Sequence, residues 1–326
     1  MLMKTIKNIS HIRSKPRVVV TIGTYDGLHL GHRQVIRKTV VEAQKRNIAS
    51  CVITFTEHPL RLFTPRYPSR LVPNALRQDI LKTWGIDYCI MLTFSRKLAC
   101  KTPEAFIQYL CKALDIKKIV VGFNFRFGHN NTGDVSTLQE LGRKYGFSVH
   151  REKLKRIRLF GEIISSTVIR RALQSGNIKK ANMLLGREYA VFGTVQRGKQ
   201  FGRKMGYPTI NVHIREQLTP MQGVYLGVII VAERQYPAMM YIGDTGNREI
   251  SRKETSIIEA YIFDFNQNLY RQKVEVLILH YMRSIREFPN ADELQHQLNY
   301  DEEKARNYFT KRKNNKYSIG GTRAWL

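Results

Sequence analysis

The sequence predicts an α/β domain built on a doubly wound parallel sheet, followed by an antiparallel β-barrel that ends in a helix. Three observations carry that prediction. Over about residues 1–186, short β-branched runs alternate with segments of helical period. After Gly186, strand-like runs follow one another with only Gly, Pro and Asn between them. Near Asn290 the pattern returns to helix. The length agrees: 326 residues suffice for two domains of roughly 150 each, and either half can close its own core.

The first strand is RVVVTI at Arg17–Ile22, a β-branched run that stops at Gly23. A helix is predicted over 32–46, because Val35, Ile36, Thr39, Val40 and Ala43 fall on one face of a 3.6-residue period. Strands are predicted at 50–55, 87–94 and 118–122. Thr102 followed by Pro103 is a helix start, an N-cap and then proline at the first helical position. Phe106, Ile107, Leu110, Cys111 and Leu114 give that helix its buried face. Another helix is predicted over 135–145. Strands alternating with helices imply a parallel sheet covered on both faces.

In the second half, 189–196, 209–214, 225–232, 238–242, 256–265 and 270–279 read as strands. Strand after strand without intervening helices implies an antiparallel barrel or sandwich. Asn290 with Glu293 three residues on resembles a capping box, and Leu294 and Leu298 supply part of the helix's apolar face. Residues 313–326 form a basic polar tail.

Apolar residues at 43% and charged residues at 25% are ordinary for a globular protein. No apolar run approaches the ~18 residues of a membrane span. Cys51, Cys89, Cys100 and Cys111 show no CxxC spacing, so reduced thiols in or near the core of a cytoplasmic protein are expected rather than a zinc site. The basic N-terminus lacks a long apolar stretch, so no secretory signal is expected, and residues 1–15 leave little room for a transit peptide.

The 54 Lys and Arg against 26 Asp and Glu leave a net charge of +28. One reading is a nucleic-acid or anionic-membrane surface; the other is a solvated basic surface with some cations serving phosphate substrates. The charge is spread along the chain, Lys311-Arg312-Lys313 is the only dense cluster, and no zinc finger, RNA-recognition signature or basic zipper occurs. The solvated reading is preferred, with small-molecule partners and neither membrane nor specific nucleic-acid binding expected. Oligomeric state is not legible.

Gly23–His32 reads GTYDGLHLGH, where a strand gives way to a helix. That is where parallel sheets bind phosphate ligands. Its glycines let the backbone approach a ligand. His29 and His32 can face one phosphate chain, and the helix N-terminus adds partial positive charge. Residues 165–170 read SSTVIR: a serine can cap the helix, and Arg170 lies one turn on, within reach of the same anion. Alone, that segment is equally an ordinary capped helix with a surface arginine. In VGFNFRFGHNNTGD at 121–134, Phe123, Phe125 and Phe127 suit a core, whereas Asn124, Arg126 and the glycines point beyond packing.

Residues 193–211 read GTVQRGKQFGRKMGYPTIN. Glycines with Lys199, Arg203 and Lys204 among them can wrap phosphates, although this is no Walker A loop. Thr209 and Asn211 share one face of an incipient strand, and two neutral oxygens suit Mg²⁺. Glu259 lies in an apolar strand, either as an outward surface carboxylate or as a base for a hydroxyl attacking a γ-phosphate.

The segment Gly23–His32 resembles the HxGH nucleotidylyltransferases. Together with TFTEHP at 54–59, the 121–134 and 165–170 stretches, GYPTIN, GVY at 223–225, IEAYIFDFNQNLY at 258–270 and the helix at 290–305, it makes the chain similar to the prokaryotic-type bifunctional riboflavin kinase/FAD synthetases. The motifs occur in family order from about Arg17 to about Tyr308. The resemblance implies a Rossmann-like nucleotidylyltransferase domain at 1–186 that adenylylates FMN to FAD with release of pyrophosphate. It implies a riboflavin kinase barrel at 187–312 that makes FMN, with ATP as substrate in both and Mg²⁺ as cofactor.

In the first domain the resemblance places ATP at Gly23, Asp26, Gly27, His29, His32, Ser166, Thr167 and Arg170, with both histidines catalytic. It places flavin at Phe55, Asn124, Phe125 and Arg126. For the kinase it places ATP at Gly198, Gly202, Lys204, Gly206, Thr209 and Asn211, the last two also holding the metal. Glu259 becomes the catalytic base, and Arg283 and Phe288 bind flavin. Two segments depart from the family, YIGDTGNR at 241–248 and RSIREF at 283–288, where Ile285 and Glu287 replace a glutamate and a lysine. They leave two alternatives: an FMN adenylyltransferase with an impaired kinase domain, and a nucleic-acid-binding protein on the same scaffold.

Overall fold

The computed structural model describes residues 3–64, 69–153, 161–198, 202, 205–243 and 255–314. The chain forms two compact units: Met1–Pro68 with Asn74–Ser165, and Ser69–Pro73 with Ser166–Leu326.

In the first unit the elements are β1 (Lys4–Ile6), β2 (Arg17–Ile22), α1 (Leu30–Gln44), β3 (Ala49–Phe55), α2 (Asn74–Thr83), β4 (Tyr88–Leu92), α3 (Arg96–Ala99), α4 (Pro103–Ala113), β5 (Asp115–Gly122), α5 (Val135–Tyr145) and β6 (Ser148–Glu152). The strands pair in the order β1-β4-β3-β2-β5-β6, all parallel. From β2 the chain winds one way through β3 and β4, then crosses to β5 and β6 on the other side. The winding therefore reverses beside β2, which opens a crevice at the carboxyl ends of β2 and β5. Helices cover both faces, so β2 reads as a continuous apolar run. Val18, Val20, Ile53 and Ile90 pack with Phe106, Ile107 and Leu110 of α4 and Leu138 of α5, while Val19 and Val120 pack with Val35 and Ala43 of α1. Thr102 caps α4, its hydroxyl accepting from Ala105 N–H at 3.2 Å. Cys51 and Cys89 are buried, Cys111 is half-buried and Cys100 is exposed; all four are free thiols.

The second unit contains α6 (Ser166–Gln174), α7 (Ile178–Leu185), β7 (Tyr189–Gln196), β8 (Thr209–Arg215), β9 (Gly223–Val231), β10 (Arg234–Gly243), β11 (Thr255–Ile262), β12 (Lys273–Arg283) and α8 (Ala291–Asn314). The six strands close into an antiparallel barrel in the order β10-β11-β8-β7-β12-β9. Alternation fills its interior with Val191, Val212, Ile229, Ile258 and Val276, all fully buried. The opposite face is partly covered by α8: Tyr207, Val224, Leu226 and Met239 cluster with Leu298, Ala305, Tyr308 and Phe309. Asn290 caps α8 by accepting from Glu293 N–H at 2.9 Å.

Helices α6 and α7 pack with the barrel, so this packing boundary lies earlier than the change of sequence character at Gly186. Asn182 of α7 donates to Ile278 O at 3.0 Å and accepts from Tyr189 N–H at 2.8 Å. The short segment Ser69–Pro73 also belongs here. Arg70 O accepts from Leu218 N–H at 2.8 Å, Leu71 O accepts from Gln217 Nε2 at 3.1 Å, and Leu71 and Val72 are buried.

Candidate active sites

The first site is built on the turn between β2 and α1. His29 is the N-cap of α1, and its Nδ1 accepts from His32 N–H at 3.3 Å. When neutral, His29 therefore carries its proton on Nε2. The two imidazoles stack with centroids 3.7 Å apart, and the ring of Tyr25 meets His32 edge-on at 5.1 Å. Tyr25 and Leu28 hold φ angles of 48° and 43°, on either side of Gly27 at 88°. Burial of both side chains holds this strained turn. Burial also pushes the Tyr25 phenol far above its ordinary pKa, and Thr21 is its hydrogen-bond partner, so the ring stays neutral.

Arg77 is the residue the sequence reading missed. It is 6% exposed and lies in α2. Its Nη1 donates to Thr24 O at 3.0 Å, and its Nη2 donates to Phe55 O and Asn74 Oδ1, both at 2.6 Å. One buried guanidinium thus ties the turn after β2 to the end of β3. An isolated arginine beside Leu76, Ile80 and Leu81 carries no sequence signal of such a role.

Phe55 closes β3 and meets Phe94 edge-on at 5.3 Å. The loop after β5 lies on the opposite flank of β2. There Phe127 is core, and Phe125 stacks on it at 5.4 Å while remaining half-buried. Asn124 and Arg126 are exposed, and Arg126 lies 3.7 Å from Asp134. The Ser136 hydroxyl, followed by Thr137 N–H, lowers the Asp134 pKa to about 2. The structure thus brings Gly23, Asp26, Gly27, both histidines, Phe55 and residues 124–126 to one end of three adjacent strands.

Ser166 and Thr167 open α6 in the second unit. Arg170 is buried and donates through Nη1 to Ser69 O at 2.6 Å.

The second site is a band across the outer face of the barrel. In register, Asn211 of β8 pairs with Glu259 of β11, Glu259 with Tyr241 of β10, Tyr241 with Val224 of β9, and Val224 with Arg283 of β12. Three sequence-predicted residues from distant parts of the chain therefore lie in one cross-strand row. Glu259 is exposed, whereas Asn211 is 7% exposed. Gly198 explains the difference: a Cβ there would fall 2.2 Å from Asn211 Nδ2, so only glycine lets the loop close over the amide. Gly202 likewise lies against Tyr207 O and Thr209, and Gly206 follows with φ 78°.

Arg283 donates to Asp301 of α8 from Nε at 2.9 Å and from Nη2 at 2.7 Å. Tyr207 donates to Asn299 at 2.8 Å; burial, and then Glu302, pushes its pKa up to about 12. Phe288 is half-buried in the connection to α8. Lys199, Arg203, Lys204 and the departing segment 244–248 lie outside the described residues.

A parallel sheet with a histidine-capped helix at its switch point, joined to a barrel with an amide, a carboxylate and an arginine in one row, defines a two-part enzyme of phosphorus-group transfer. The family model for FAD synthetase matches residues 11–168, and that for riboflavin kinase matches residues 185–309. The bifunctional riboflavin kinase/FMN adenylyltransferase of Escherichia coli strain K12 is 35% identical over 312 residues, covering 94% of this chain and 98% of that one. The Haemophilus influenzae enzyme of the same description is 34% identical over 292 residues, covering 89% and 94%. A solved structure described as a macrolide-efflux protein from Streptococcus pneumoniae matches with a TM-score of 0.84 at 32% identity, covering 94% of this chain and 99% of that one. The chain belongs to the bifunctional riboflavin kinase/FMN adenylyltransferase family.

Proposed function

We infer that the protein phosphorylates riboflavin to FMN and adenylylates FMN to FAD, using one ATP in each step. The observation that carries this reading over an impaired kinase is the pairing of Asn211 with Glu259 across β8 and β11. It sets a carboxylate beside the phosphate-facing amide, as transfer to a hydroxyl requires.

In the kinase, assigned to residues 187–312, Glu259 takes the proton of the primary hydroxyl as its oxygen attacks the γ-phosphorus in line and ADP leaves. Gly198, Gly202, Gly206 and Lys204 are assigned to ATP, and Arg283 and Phe288 to the flavin. The Thr209 hydroxyl and Asn211 amide oxygen would hold Mg²⁺. Their fit rests on two neutral oxygens on one strand face beneath a loop that leaves no room for a Cβ at Gly198. Bound there, Mg²⁺ would neutralise charge on the phosphates.

In the adenylyltransferase, assigned to residues 1–186, an FMN phosphate oxygen attacks the α-phosphorus and pyrophosphate leaves. The attacking phosphate is already ionised, so no general base is needed. His29 and His32, at the N-terminus of α1, stabilise the charge that develops. Gly23, Asp26, Gly27, Ser166, Thr167 and Arg170 are assigned to ATP, and Phe55, Asn124, Phe125 and Arg126 to FMN. Intracellular ATP and four free cysteines favour a cytoplasmic setting.

Incubation with riboflavin, ATP and Mg²⁺, followed by chromatography, tests the reading. Wild type yields FMN and FAD. His29→Ala with His32→Ala stops at FMN. Glu259→Gln loses about 10²–10⁴ of the kinase rate yet converts supplied FMN to FAD. Undiminished FAD from the histidine variant, or undiminished FMN from Glu259→Gln, refutes the respective assignment.

A further inference from the structure

Tyr241 stands on β10 between Glu259 and Val224 in the cross-strand register. Its neighbours Met240 and Ile242 are 1% exposed and point into the barrel. Alternation therefore turns Tyr241 to the outer face that carries Asn211 and Glu259. Strands in register lie roughly 5 Å apart, so its backbone is about one strand from the carboxylate and about two from Asn211.

Tyr241 is 37% exposed, one of the large apolar residues that face solvent among the described residues. It leans along the strand over Gly243, where a Cβ would come within 2.4 Å of Tyr241 Cε1 and 2.5 Å of its hydroxyl. Glycine at 243 leaves that space to the ring.

The band has a direction. On the phosphate side of Glu259, Asn211 is buried beneath Gly198. On the other side, Arg283 is held by Asp301. A hydroxyl reacting at Glu259 has the nucleotide on its Asn211 side. The remainder of the acceptor must leave across Tyr241 toward Val224 and Arg283.

We propose that Tyr241 is the acceptor-binding residue of the kinase, its ring packing against the flat ring system of riboflavin and so holding the ribityl hydroxyl at Glu259. The proposal rests on Glu259 being the base. An offset-stacked aromatic pair with its buried area corresponds to roughly tenfold in affinity.

The test uses the full chain and measures riboflavin phosphorylation and FMN adenylylation separately. Tyr241→Ala is expected to raise the KM for riboflavin roughly tenfold, leaving the KM for ATP and the conversion of supplied FMN to FAD unchanged. Tyr241→Phe restores the riboflavin KM to near wild type, because the ring is retained. Gly243→Ala reproduces the Tyr241→Ala effect while the protein stays folded, since only the tip of a ring must move. An unchanged riboflavin KM in Tyr241→Ala overturns the proposal, as does an equal rise in both KM values. So does a fall in kcat alone. Riboflavin binding to Glu259→Gln, with and without Tyr241→Ala, separates the two assignments. Wild-type kcat in Glu259→Gln defeats the base, whereas equal riboflavin affinity of the single and double variants defeats Tyr241.

Discussion

Replacing Asp301 by leucine is expected to destabilise the barrel unit more than any surface change. The carboxylate is 2% exposed and accepts from Arg283 Nε, Arg283 Nη2 and Gln297 Nε2 at 2.9, 2.7 and 2.9 Å. Removing it leaves a guanidinium largely out of water with its charge uncompensated. Breaking a buried pair from one side costs about 3–5 kcal/mol. That is a large share of the ~5–15 kcal/mol by which a domain is stable. For a unit of this size it lowers the melting temperature by about 6–20 °C. Calorimetry of the full chain should show the barrel transition moving while that of the sheet unit stays in place. Arg283→Met combined with Asp301→Leu should recover most of the loss, because neither charge is then stranded. Riboflavin KM in that double variant then reports on Arg283 as a flavin ligand, free of the stability effect. A shift of under ~2 °C in Asp301→Leu, or no recovery in the double variant, would refute the reasoning.

Two further outcomes follow from the packing of Glu42 and of Gly198. Glu42 accepts from Lys118 at 2.7 Å, Lys38 lies at 3.0 Å and Arg46 at 2.7 Å, and these bonds, Lys118 foremost, hold its carboxyl far below the usual range. A depressed carboxylate stabilises the fold above its unfolded pKa of about 4.3, and that contribution fades as pH falls toward the folded value. Glu42→Gln should therefore lower the urea midpoint at pH 7, with the gap from wild type narrowing below about pH 4; a gap independent of pH contradicts this. Gly198→Ala should displace the Asn211 amide, since the new Cβ would lie 2.2 Å from it. Riboflavin phosphorylation then falls by up to about 10²-fold, and FMN adenylylation measured in the same preparation does not change.

Much of this architecture is legible in the chain itself. Residues 18–22 of RVVVTI are buried on both faces, so the run is nearly continuous and reads as a central strand. The barrel strands follow one another with only Gly, Pro and Asn between them, so their number and succession are plain even where burial runs on without alternation, as in β9 and β12. Other elements are physically quiet. β6 reads SVHRE and lies at the sheet edge, where half-exposed residues need not be apolar. β1 has three residues, too few to show a period, and α2 buries Leu76, Arg77, Ile80 and Leu81 on one face, where an arginine interrupts the apolar stripe. The same division holds for the sites. His29 and His32 stand at the start of a helix after a turn whose glycines mark it in the sequence. Arg77 and Asp301 acquire their partners, and Tyr241 its neighbours in register, from strands and helices far away in the chain. Helices α6 and α7 look like the end of the first half, but Asn182 binds the backbone of the barrel.

The segment Ser69–Pro73 means that the unit containing the barrel is not a contiguous stretch of the gene. Ribosomal synthesis delivers Leu71 and Val72 long before Gln217 and Leu218, the residues whose polar groups bind that segment, have been made. Until then two buried apolar side chains have no bed, and the nascent sheet unit carries an open loop. A reading frame opened at Ser166 would encode every strand of the barrel and still omit a segment packed against it. Transplanting this unit with all of its packing into another polypeptide therefore calls for a circular permutation or an added leader that supplies 69–73, not a simple cut at the helix.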